Sequence, residues 1–544
     1  MQQDQVIYQL YPKSFYDSNG DGIGDLRGII QKLDYLVSLN VDMIWFNPFF
    51  VSPQNDSGYD VADYRAIDPR FGTMADFEEL IDKLSQHHMG VMLDMVLNHT
   101  STAHAWFQKA LSGDAKYQAY YYLRDPKPNG DLPTNWQSKF GGPAWSAFGN
   151  TGKYYLHLYD RTQADLDWHN PEVRQEAAAV VNFWRAKGVR GFRFDVLNVI
   201  GKAEQLVDAE PGKESKFLYT DTPIVQTYIK ELAANSFGQD PDSVTVGEMS
   251  STGLQQAIAY TKPDNQELSM VFQFHHLKVD YVDGQKWTAM RYDFNALRKL
   301  LHTWGTGMAQ GGGWQALFWN NHDQPRAIDR FADPKSDRFA SATLLAASIH
   351  LSRGTPYIYM GEELGMSDPD YTSMDDYVDV EAHNAYKALL EQGLSDHDAF
   401  TIVHAKARDN SRTPMQWDDS ATAGFTTGTP WLHSTNQAEV NVQAPVSQKI
   451  FAFYQKLITL RKQYHVISQG DYQPFGENID WLYGYVRHYQ AQNLLVLNNF
   501  ADHEIQVPIP DQFQDAQVLI TNLSSFKPTA TITLPAYGTV ALLH

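Results

Sequence analysis

The stretch that decides the fold is GFRFDV, residues 191–196, in which a short apolar run ends in an acidic side chain. Similar runs recur along the chain, each followed by polar residues and then by a helical pattern. Eight strands that alternate with helices predict an α/β fold, the (β/α)8 or TIM barrel. The candidate strands are Val6–Tyr11, Met43–Phe46, Val91–Leu97, Gly191–Phe194, Val244–Gly247, Val271–Phe274, Ala316–Trp319 and Tyr357–Met360.

Two segments depart from this alternation. Residues 100–168 are rich in turns and aromatic side chains, which predicts a small domain inserted after strand 3. From about residue 465 short alternating strands such as NLLVLNNF predict a C-terminal antiparallel β-sandwich. The predicted domains are the barrel at residues 1–99 and 169–464, the inserted domain at 100–168 and the sandwich at 465–544.

Composition narrows the choice of partners. The 544 residues carry 43 basic against 64 acidic side chains, and the net charge of −21 disfavours binding to nucleic acid or to anionic membranes. A hydrophobic content of 43% indicates a folded globular protein rather than a disordered one. Any anionic small-molecule ligand would need a local cluster of Lys or Arg.

The absence of cysteine suits a reducing compartment. The first residues, MQQDQVIYQL, lack the basic and apolar regions of a signal peptide, and no unbroken apolar run reaches membrane-spanning length. The segment FASATLLAASIHL, residues 339–351, is interrupted by polar side chains and predicts a buried helix. We therefore expect a cytoplasmic protein without a membrane partner. We also expect the protein to be a monomer.

Acidic side chains stand where several predicted strands end. In a barrel of this type, chemistry is expected at the carboxyl ends of the strands. One acid after a strand is more often a helix cap or an ion-pair partner, but several at neighbouring ends indicate a catalytic pocket. These ends carry Asp94 and His99 after the third strand, Arg193 and Asp195 at the fourth, Glu248 at the fifth, and His322 and Asp323 at the seventh.

Paired carboxylates in an aromatic-rich cleft suit hydrolysis of a glycosidic bond, where one acts as acid and base and the other as nucleophile. Arg193 precedes Asp195 by two residues and lies on the same strand face, so we expect it to keep Asp195 ionised. Glu248 has no adjacent cation in the sequence and is the better candidate for the raised pKa of a general acid.

A second motif, YDSNGDGIGDL at residues 16–26, has the oxygen spacing of a calcium loop. An EF-hand would need an acidic ligand at its twelfth position, which is Gly28 here, and a strand rather than a helix precedes the loop. The motif therefore predicts a structural Ca²⁺ site, the alternative being a solvated turn. Its donors would be Asp17, Asn19, Asp21, the Ile23 carbonyl and Asp25.

Seven ordered segments together resemble the α-amylase family of glycoside hydrolases, and within it the α-glucosidases related to oligo-1,6-glucosidase. They are YQLYPKSFYDSNGDGIGDLRGI (8–29), DMVLNHTS (94–101), QADLDWHNP (163–171), GFRFDV (191–196), GEMSS (247–251), NNHDQPR (320–326) and RDNSRTPMQW (408–417). The resemblance implies a retaining mechanism with Asp195 as nucleophile, Glu248 as general acid/base and Asp323 as the acid that holds the sugar hydroxyls.

Further site residues follow from the same resemblance. It implies that His99, Arg193 and His322 line the sugar subsite and that Tyr59 stacks on the glucose ring. Asp56 and Arg412 resemble the pair that closes the pocket over the terminal glucose and makes an enzyme exo-acting. Members of the family carry a bound Ca²⁺ in the loop that corresponds to residues 16–26.

Residues near the pocket narrow the range of possible substrates. Val196 after the nucleophile resembles enzymes that act on α-1,6 or α,α-1,1 bonds, and FQFHHLKVDYVDGQKWT, residues 272–288, resembles trehalose-6-phosphate hydrolases. Lys278 and Lys286 on that loop could bind a phosphate, unless they are ordinary surface lysines. His275 and His276 are more simply packed loop histidines.

Other functions stay open. The runner-up is an oligo-1,6-glucosidase acting on isomaltose-type ends, and a trehalose-forming transglycosylase is a more distant alternative. A non-catalytic transporter partner of this fold would have lost the acids and gained a membrane helix, whereas this chain keeps Asp195, Glu248 and Asp323. Asp167 and Thr222 depart from the Asn and Gly that family members commonly have at these positions, and the resemblance places both near the rim of the pocket rather than beside its acids.

Overall fold

The computed structural model describes residues 3–433 and 439–544. Residues 1 and 2, with which the predicted barrel range begins, and residues 434–438 within that range lie outside the described residues. In the described part of the chain no helix is long and apolar enough to cross a membrane.

The strands are β1 Ile7–Leu10, β2 Met43–Phe46, β3 Phe50–Val51, β4 Asp63–Ile67, β5 Gly90–Met95, β6 His99–Ser101, β7 Leu123–Arg124, β8 Trp145–Ala147, β9 Tyr154–Leu156, β10 Gln163–Asp165, β11 Gly191–Phe194, β12 Val244–Glu248, β13 Met270–Phe272, β14 Ala316–Leu317, β15 Thr355–Tyr359, β16 Gln473–Phe475, β17 Leu482–Tyr489, β18 Gln492–Asn499, β19 Ile505–Pro508, β20 Gln517–Thr521, β21 Thr531–Leu534 and β22 Thr539–Leu543.

The α-helices are α1 Leu26–Gln31, α2 Leu33–Leu39, α3 Met74–Gln86, α4 Ala105–Leu111, α5 Ala115–Gln118, α6 Pro171–Ala186, α7 Pro223–Asn235, α8 Leu254–Thr261, α9 Phe294–Gly311, α10 Ala327–Phe331, α11 Pro334–His350, α12 Val380–Glu391, α13 Asp396–Lys406, α14 Asp409–Arg412, α15 Pro445–Gln463 and α16 His465–Ser468. Turns of 3₁₀ helix lie at Pro12–Ser14, Leu197–Val199, Ser215–Leu218, Phe237–Gln239, Pro263–Asn265, His275–Lys278, Glu362–Leu364, Met374–Asp376 and Asp511–Phe513.

Each of the eight strands predicted for the barrel is present, including the one around Val271. They belong to one sheet, whose order is β13-β12-β11-β5-β2-β1-β15-β14. The predicted buried helix is also present as α11.

The chain falls into two compact units. The first unit comprises Trp45–Lys83 and Gly90–Gln273. Its strands β5, β11, β12 and β13 pair in parallel, with Arg193 opposite both Asp94 and Val246, and Glu248 opposite Phe272. Because the carboxyl ends of parallel strands meet at the same edge, this register brings the acids of three strands together.

Helix α6 illustrates how the local sequence sets an element of this unit. Pro171 occupies the first turn, where its missing N–H costs nothing, and the Asn170 side chain accepts a hydrogen bond from the Glu172 N–H at 2.9 Å. The helix buries one apolar face, made of Val173, Ala177, Val180, Val181 and Trp184.

Short antiparallel strands also belong to the first unit. They form the sheets β3-β4, β6-β10 and β7-β9-β8, and the last two fall mainly in the segment predicted as an inserted domain. An aromatic core that includes Tyr122, Trp136 and Trp145 supports them. The exact domain boundaries stay predictions.

The second unit comprises residues 3–44, Leu84–Met89 and the described residues from Phe274 onwards. Strand β15 pairs in parallel with both β1 and β14. At its C-terminal end the sheets β16-β17-β18-β22-β20 and β19-β21 enclose one apolar core that includes Leu495, Val507, Phe513 and Leu534. Two antiparallel sheets around one core confirm the predicted β-sandwich.

Candidate active site

Arg193 lies between the carboxyl groups of the first unit. Its Nη1 donates to Oδ1 of Asp94 at 2.6 Å and to Oδ1 of Asp195 at 2.7 Å, and its Nη2 donates to Oε2 of Glu248. The guanidinium is 1% exposed, so these contacts are made away from bulk water. One cation therefore holds three carboxyl groups in a fixed arrangement, which the rigid fork of arginine suits better than lysine would.

Burial raises pKa values in this cluster, and the neighbouring carboxyl groups add to its effect. Burial raises the pKa of Asp195 to about 6, although Arg193 and a hydrogen bond with the Glu248 side chain lower it. Burial likewise raises the pKa of Asp94 to about 6 against the effect of Arg193. Three buried carboxyl groups around one guanidinium cannot all ionise as easily as in water.

Arg193 acts on Asp195 in the predicted direction, because its charge lowers the pKa of that carboxyl group, but burial raises the pKa by more. The raised pKa of Glu248 stays a prediction. Glu248 does have a cation beside it, since Arg193 contacts it from the adjacent strand. Sequence distance hid this contact: the two residues are 55 positions apart but lie on paired strands.

The proximity of Asp195 and Glu248 bears on stereochemistry. Their side chains share a hydrogen bond and the same guanidinium. Inverting glycosidases keep their carboxyl groups about 6.5–9.5 Å apart to admit water, whereas retaining enzymes keep them about 5 Å apart. Direct contact between the two side chains fits the retaining arrangement.

The backbone after Asp195 is unusual. Val196 has φ 39° and ψ 43°, in the left-handed region that a β-branched residue rarely adopts. A 3₁₀ turn, Leu197–Val199, follows at once. Such strain is tolerated where the surrounding structure enforces it, and here it turns the chain directly after the candidate nucleophile.

Tyr59, predicted to stack on the sugar, belongs to the same cluster. Its hydroxyl donates to Oδ2 of Asp94 at 2.9 Å and accepts from Nδ2 of Asn47 at 2.9 Å. Its ring centroid is 5.8 Å from the Arg193 guanidinium carbon. The ring that is predicted to stack on glucose is thus anchored to the carboxyl cluster through its hydroxyl group.

His99 and Asp56 are linked by a residue that the sequence did not single out. Nε2 of Gln163 lies 3.1 Å from Oδ2 of Asp56 and 3.2 Å from Nε2 of His99. The carbonyl of Tyr59 lies 3.1 Å from the same histidine nitrogen. Burial lowers the pKa of His99 to about 4, so its ring is neutral near pH 7 and can act as a hydrogen-bonding group without charge.

In the second unit, Asp323 contacts Arg412 and His322. Its Oδ1 accepts from Nη2 of Arg412 at 2.8 Å, and its Oδ2 lies 3.2 Å from Nε2 of His322. Arg412 also donates through Nε to the His322 carbonyl at 2.7 Å. The structure thus brings these three predicted site residues together, while their role in binding sugar and the pairing of Asp56 with Arg412 stay predictions.

The loop predicted to read phosphate also lies in the second unit. Nζ of Lys286 forms an ion pair with Glu381 at 2.8 Å and lies 4.4 Å from the Trp287 ring centroid. Lys278 ends the 3₁₀ turn His275–Lys278 and is half-buried. Lys286 would have to leave Glu381 to bind a phosphate.

Both loop histidines are packed, as predicted. The ring of His276 is buried, with Nε2 2.9 Å from the Phe318 carbonyl, and burial lowers its pKa to about 3. His275 stacks on Trp304 with ring centroids 5.6 Å apart. Packing therefore accounts for both histidines without a role in binding phosphate.

The candidate calcium loop is held by its own hydrogen bonds. The side chain of Asp17 accepts from the N–H groups of Asn19, Gly20 and Gly22 at 2.7–3.0 Å, and these bonds help to lower its pKa against the effect of burial. Asp25 accepts from Ser18 and caps α1 through the Gly28 N–H.

Oxygen is the donor that Ca²⁺ prefers, so the residue types of this loop fit the ion. The side chains of Asn19 and Asp21 each accept the N–H two residues further on, at 2.9 Å. Within residues 3–433 and 439–544, however, no group of three or more Asp, Glu, His or Cys side chains is arranged to hold a metal.

Comparison with known proteins identifies the family. The family described as "Alpha amylase, catalytic domain" matches residues 9–470, and "Alpha-amylase SusG C-terminal domain" matches residues 482–541. The chain is 48% identical over 543 residues to the trehalose-6-phosphate hydrolase of Bacillus subtilis (strain 168), which covers 98% of this chain and 96% of that protein. It is 43% identical to the oligo-1,6-glucosidase of Parageobacillus thermoglucosidasius, covering 95% and 94%.

A solved structure agrees with these sequence matches. A crystal structure of a mutant Bacillus licheniformis trehalose-6-phosphate hydrolase in complex with PNG superposes with a TM-score of 0.96 at 46% identity, covering 99% of both chains. A match over whole chains at this identity confirms the barrel fold with its inserted and C-terminal segments.

Proposed function

Because the chain belongs to the α-amylase family of glycoside hydrolases, we propose that it cleaves trehalose 6-phosphate into glucose and glucose 6-phosphate. The observation that carries this substrate is the 48% identity, over almost the full length of both chains, to a protein named trehalose-6-phosphate hydrolase. The chemistry rests on the first unit, where Arg193 holds Asp195 and Glu248 side by side.

In the proposed reaction, a carboxylate oxygen of Asp195 attacks the anomeric carbon of the non-phosphorylated glucose. The bond to the glycosidic oxygen breaks, and that oxygen takes the proton of Glu248 and leaves with glucose 6-phosphate. Glu248, now ionised, takes a proton from water, whose oxygen attacks the same carbon and frees Asp195. Two inversions retain the α configuration of the released glucose.

The exo-acting character is part of the same proposal. Asp56 is held by Gln163 in the first unit, and Arg412 is held by Asp323 in the second. Their resemblance to a pocket-closing pair supports attack at a terminal glucose. Cleavage of trehalose 6-phosphate needs only such a terminal unit.

The second candidate is an oligo-1,6-glucosidase that releases glucose from isomaltose-type ends. The 43% identity to such an enzyme and the Val196 after the nucleophile favour it over other family activities. The deciding experiment is glucose release from trehalose 6-phosphate, trehalose and isomaltose, compared as kcat/KM. A higher value for trehalose 6-phosphate supports the first candidate, and a higher value for isomaltose would replace it with the second.

We also propose that the loop at residues 16–26 binds one Ca²⁺ in a structural role, with Asp17, Asn19, Asp21, Ile23 and Asp25 as donors. The alternating side-chain oxygens and the turn at Gly22, with φ 90°, support it. The opposing interpretation is a loop stabilised by its own hydrogen bonds.

A monomeric state and a cytoplasmic location likewise stay proposals, which light scattering and cell fractionation would test.

A further inference from the structure

Lys139 is a cation in the first unit that the sequence did not single out. Its Nζ lies 5.5 Å from the ring centroid of Tyr159 and 6.0 Å from that of Tyr219. The Tyr159 ring lies near the acids of the first unit, because it is 5.4 Å from the His99 ring and the carboxyl groups of Asp195 and Glu248 act on its pKa.

The backbone around Lys139 is firmly held. Its N–H donates to the Leu158 carbonyl at 2.9 Å, and the Ser138 hydroxyl donates to the Tyr159 carbonyl at 2.7 Å. Ser138 also donates its N–H to the Gly142 carbonyl at 2.8 Å. The loop that carries the lysine is thus fixed to the segment after β9 that carries Tyr159.

The ammonium of Lys139 has no carboxylate within 4.0 Å among the described residues, whereas two other lysines of the first unit are paired. Lys202 is paired with Asp165 at 2.8 Å and Lys216 with Glu214 at 2.5 Å. Lys139 is exposed to solvent, yet enough protein surrounds it that desolvation lowers its pKa. Among the charges that act on it, Glu248 comes first.

We propose that the ammonium of Lys139, positioned over Tyr159 and Tyr219, binds the phosphate of the substrate on the side from which glucose 6-phosphate leaves. This inference rests on the proposed function. It assigns a specificity residue in the first unit itself, which also holds the nucleophile and the general acid.

The geometry of the reaction supports this position. Glu248 protonates the glycosidic oxygen, so the leaving sugar begins at Glu248 and extends away from Asp195. The phosphate sits on carbon 6 of that sugar, a few bonds beyond the protonated oxygen. An ammonium with no carboxylate partner within 4.0 Å can bind a phosphate dianion without first leaving an ion pair, which a paired lysine cannot do.

A competing explanation gives Lys139 a purely electrostatic role, in which it offsets the negative charge of Glu248, Asp195 and Asp165. The two explanations differ in their substrate dependence. A phosphate contact matters only for the phosphorylated sugar, whereas an electrostatic effect on the acids alters every glucoside and moves the pH profile.

The test compares wild type, Lys139→Ala, Lys139→Arg and the control Lys153→Ala, using kcat/KM for trehalose 6-phosphate and for trehalose. Lys153 lies in the same inserted segment, is exposed, and is 3.7 Å from Asp125. We expect Lys139→Ala to reduce the preference for the phosphorylated substrate about 10- to 100-fold, which is the effect expected when one hydrogen bond to a charged group is lost. Lys139→Arg should restore most of it, and Lys153→Ala should leave it unchanged.

Equal losses on both substrates with a shifted pH profile, or an unchanged preference in Lys139→Ala, would overturn the inference. Failure of the proposed function looks different, because wild type itself would then show no preference for trehalose 6-phosphate. Inhibition by glucose 6-phosphate and by glucose gives a readout that does not depend on that preference. Lys139→Ala should weaken inhibition by glucose 6-phosphate alone, and an equal change for both sugars would count against phosphate binding.

Discussion

Nη1 of Arg193 lies 2.7 Å from Oδ1 of Asp195, yet the pKa of Asp195 is about 6 rather than its ordinary 3.8. Burial and the neighbouring Asp94 raise the pKa by more than the guanidinium lowers it. A nucleophile with this pKa is still mostly ionised near pH 7, as attack on the anomeric carbon requires.

Asp195→Asn should abolish turnover while leaving the fold intact. The amide cannot form the glucosyl ester, so kcat should fall by about 10⁴-fold or more. Steady-state kinetics and a thermal melt check this, with Asp242→Asn as a control because Asp242 is an exposed acid of the same unit, just before β12. Activity near wild type in Asp195→Asn would remove the role assigned to this residue.

The pH dependence of kcat/KM should show an acid limb at about pH 6. Asp195 must be ionised to attack, and protonation as the pH falls through its pKa of about 6 inactivates it, so kcat/KM should drop about tenfold per pH unit below that value. An unshifted aspartate would place the limb near pH 4. A pH profile on an uncharged aryl glucoside, which does not titrate itself, would distinguish the two.

Arg193→Lys should lower kcat/KM by about 100-fold or more, because one ammonium cannot reach the three carboxyl groups that the fork contacts and leaves buried charge uncompensated. Since Arg193 lowers the pKa of Asp195, its loss should also move the acid limb to higher pH. Arg190→Lys, at an exposed position just before β11, is the matched control. A normal limb in Arg193→Lys would mean that the guanidinium does not set the nucleophile's pKa.

Lys278→Ala and Lys286→Ala should behave differently. If Lys278 contacts the phosphate, its loss should reduce the preference for trehalose 6-phosphate over trehalose by about tenfold or more. Lys286 is already paired with Glu381, so its loss should affect the melting temperature more than that preference. Ratios of kcat/KM and thermal melts of both variants measure this. An unchanged ratio in Lys278→Ala would show that Lys278 does not bind the phosphate.

Much of the fold was predictable from local pattern. Strands such as Met43–Phe46 and Gly191–Phe194 were predicted to the residue, because short runs of large apolar side chains bounded by polar loops have few other solutions. The acids after these strands were equally visible, since a carboxyl group at the end of a buried strand is costly without a function or a partner.

What the sequence hid were contacts and desolvation. Nothing in the sequence shows that Asp94 shares Arg193 with Asp195 and Glu248, because that depends on strand register. The raised pKa of Asp195 follows from burial. The sequence shows an arginine two residues away, but it does not show how deeply the carboxyl group is buried. Lys139 lies in a turn-rich segment without periodicity, and only the folded chain shows it over Tyr159 and Tyr219.

Removal of calcium provides the last prediction. If the loop at residues 16–26 binds the ion, EGTA should lower the melting temperature and Ca²⁺ should restore it, since a ligand at 100 times its Kd stabilises the folded state by about 2.7 kcal/mol. Asp21→Ala removes one exposed oxygen donor, whose Oδ1 accepts the Ile23 N–H, and should abolish most of the Ca²⁺ response. Asp82→Ala, at an exposed position on α3, should keep the full response. A wild-type melting temperature that is the same in EGTA and in Ca²⁺ would mean that the hydrogen bonds to Asp17 and Asp25 are sufficient to hold the loop.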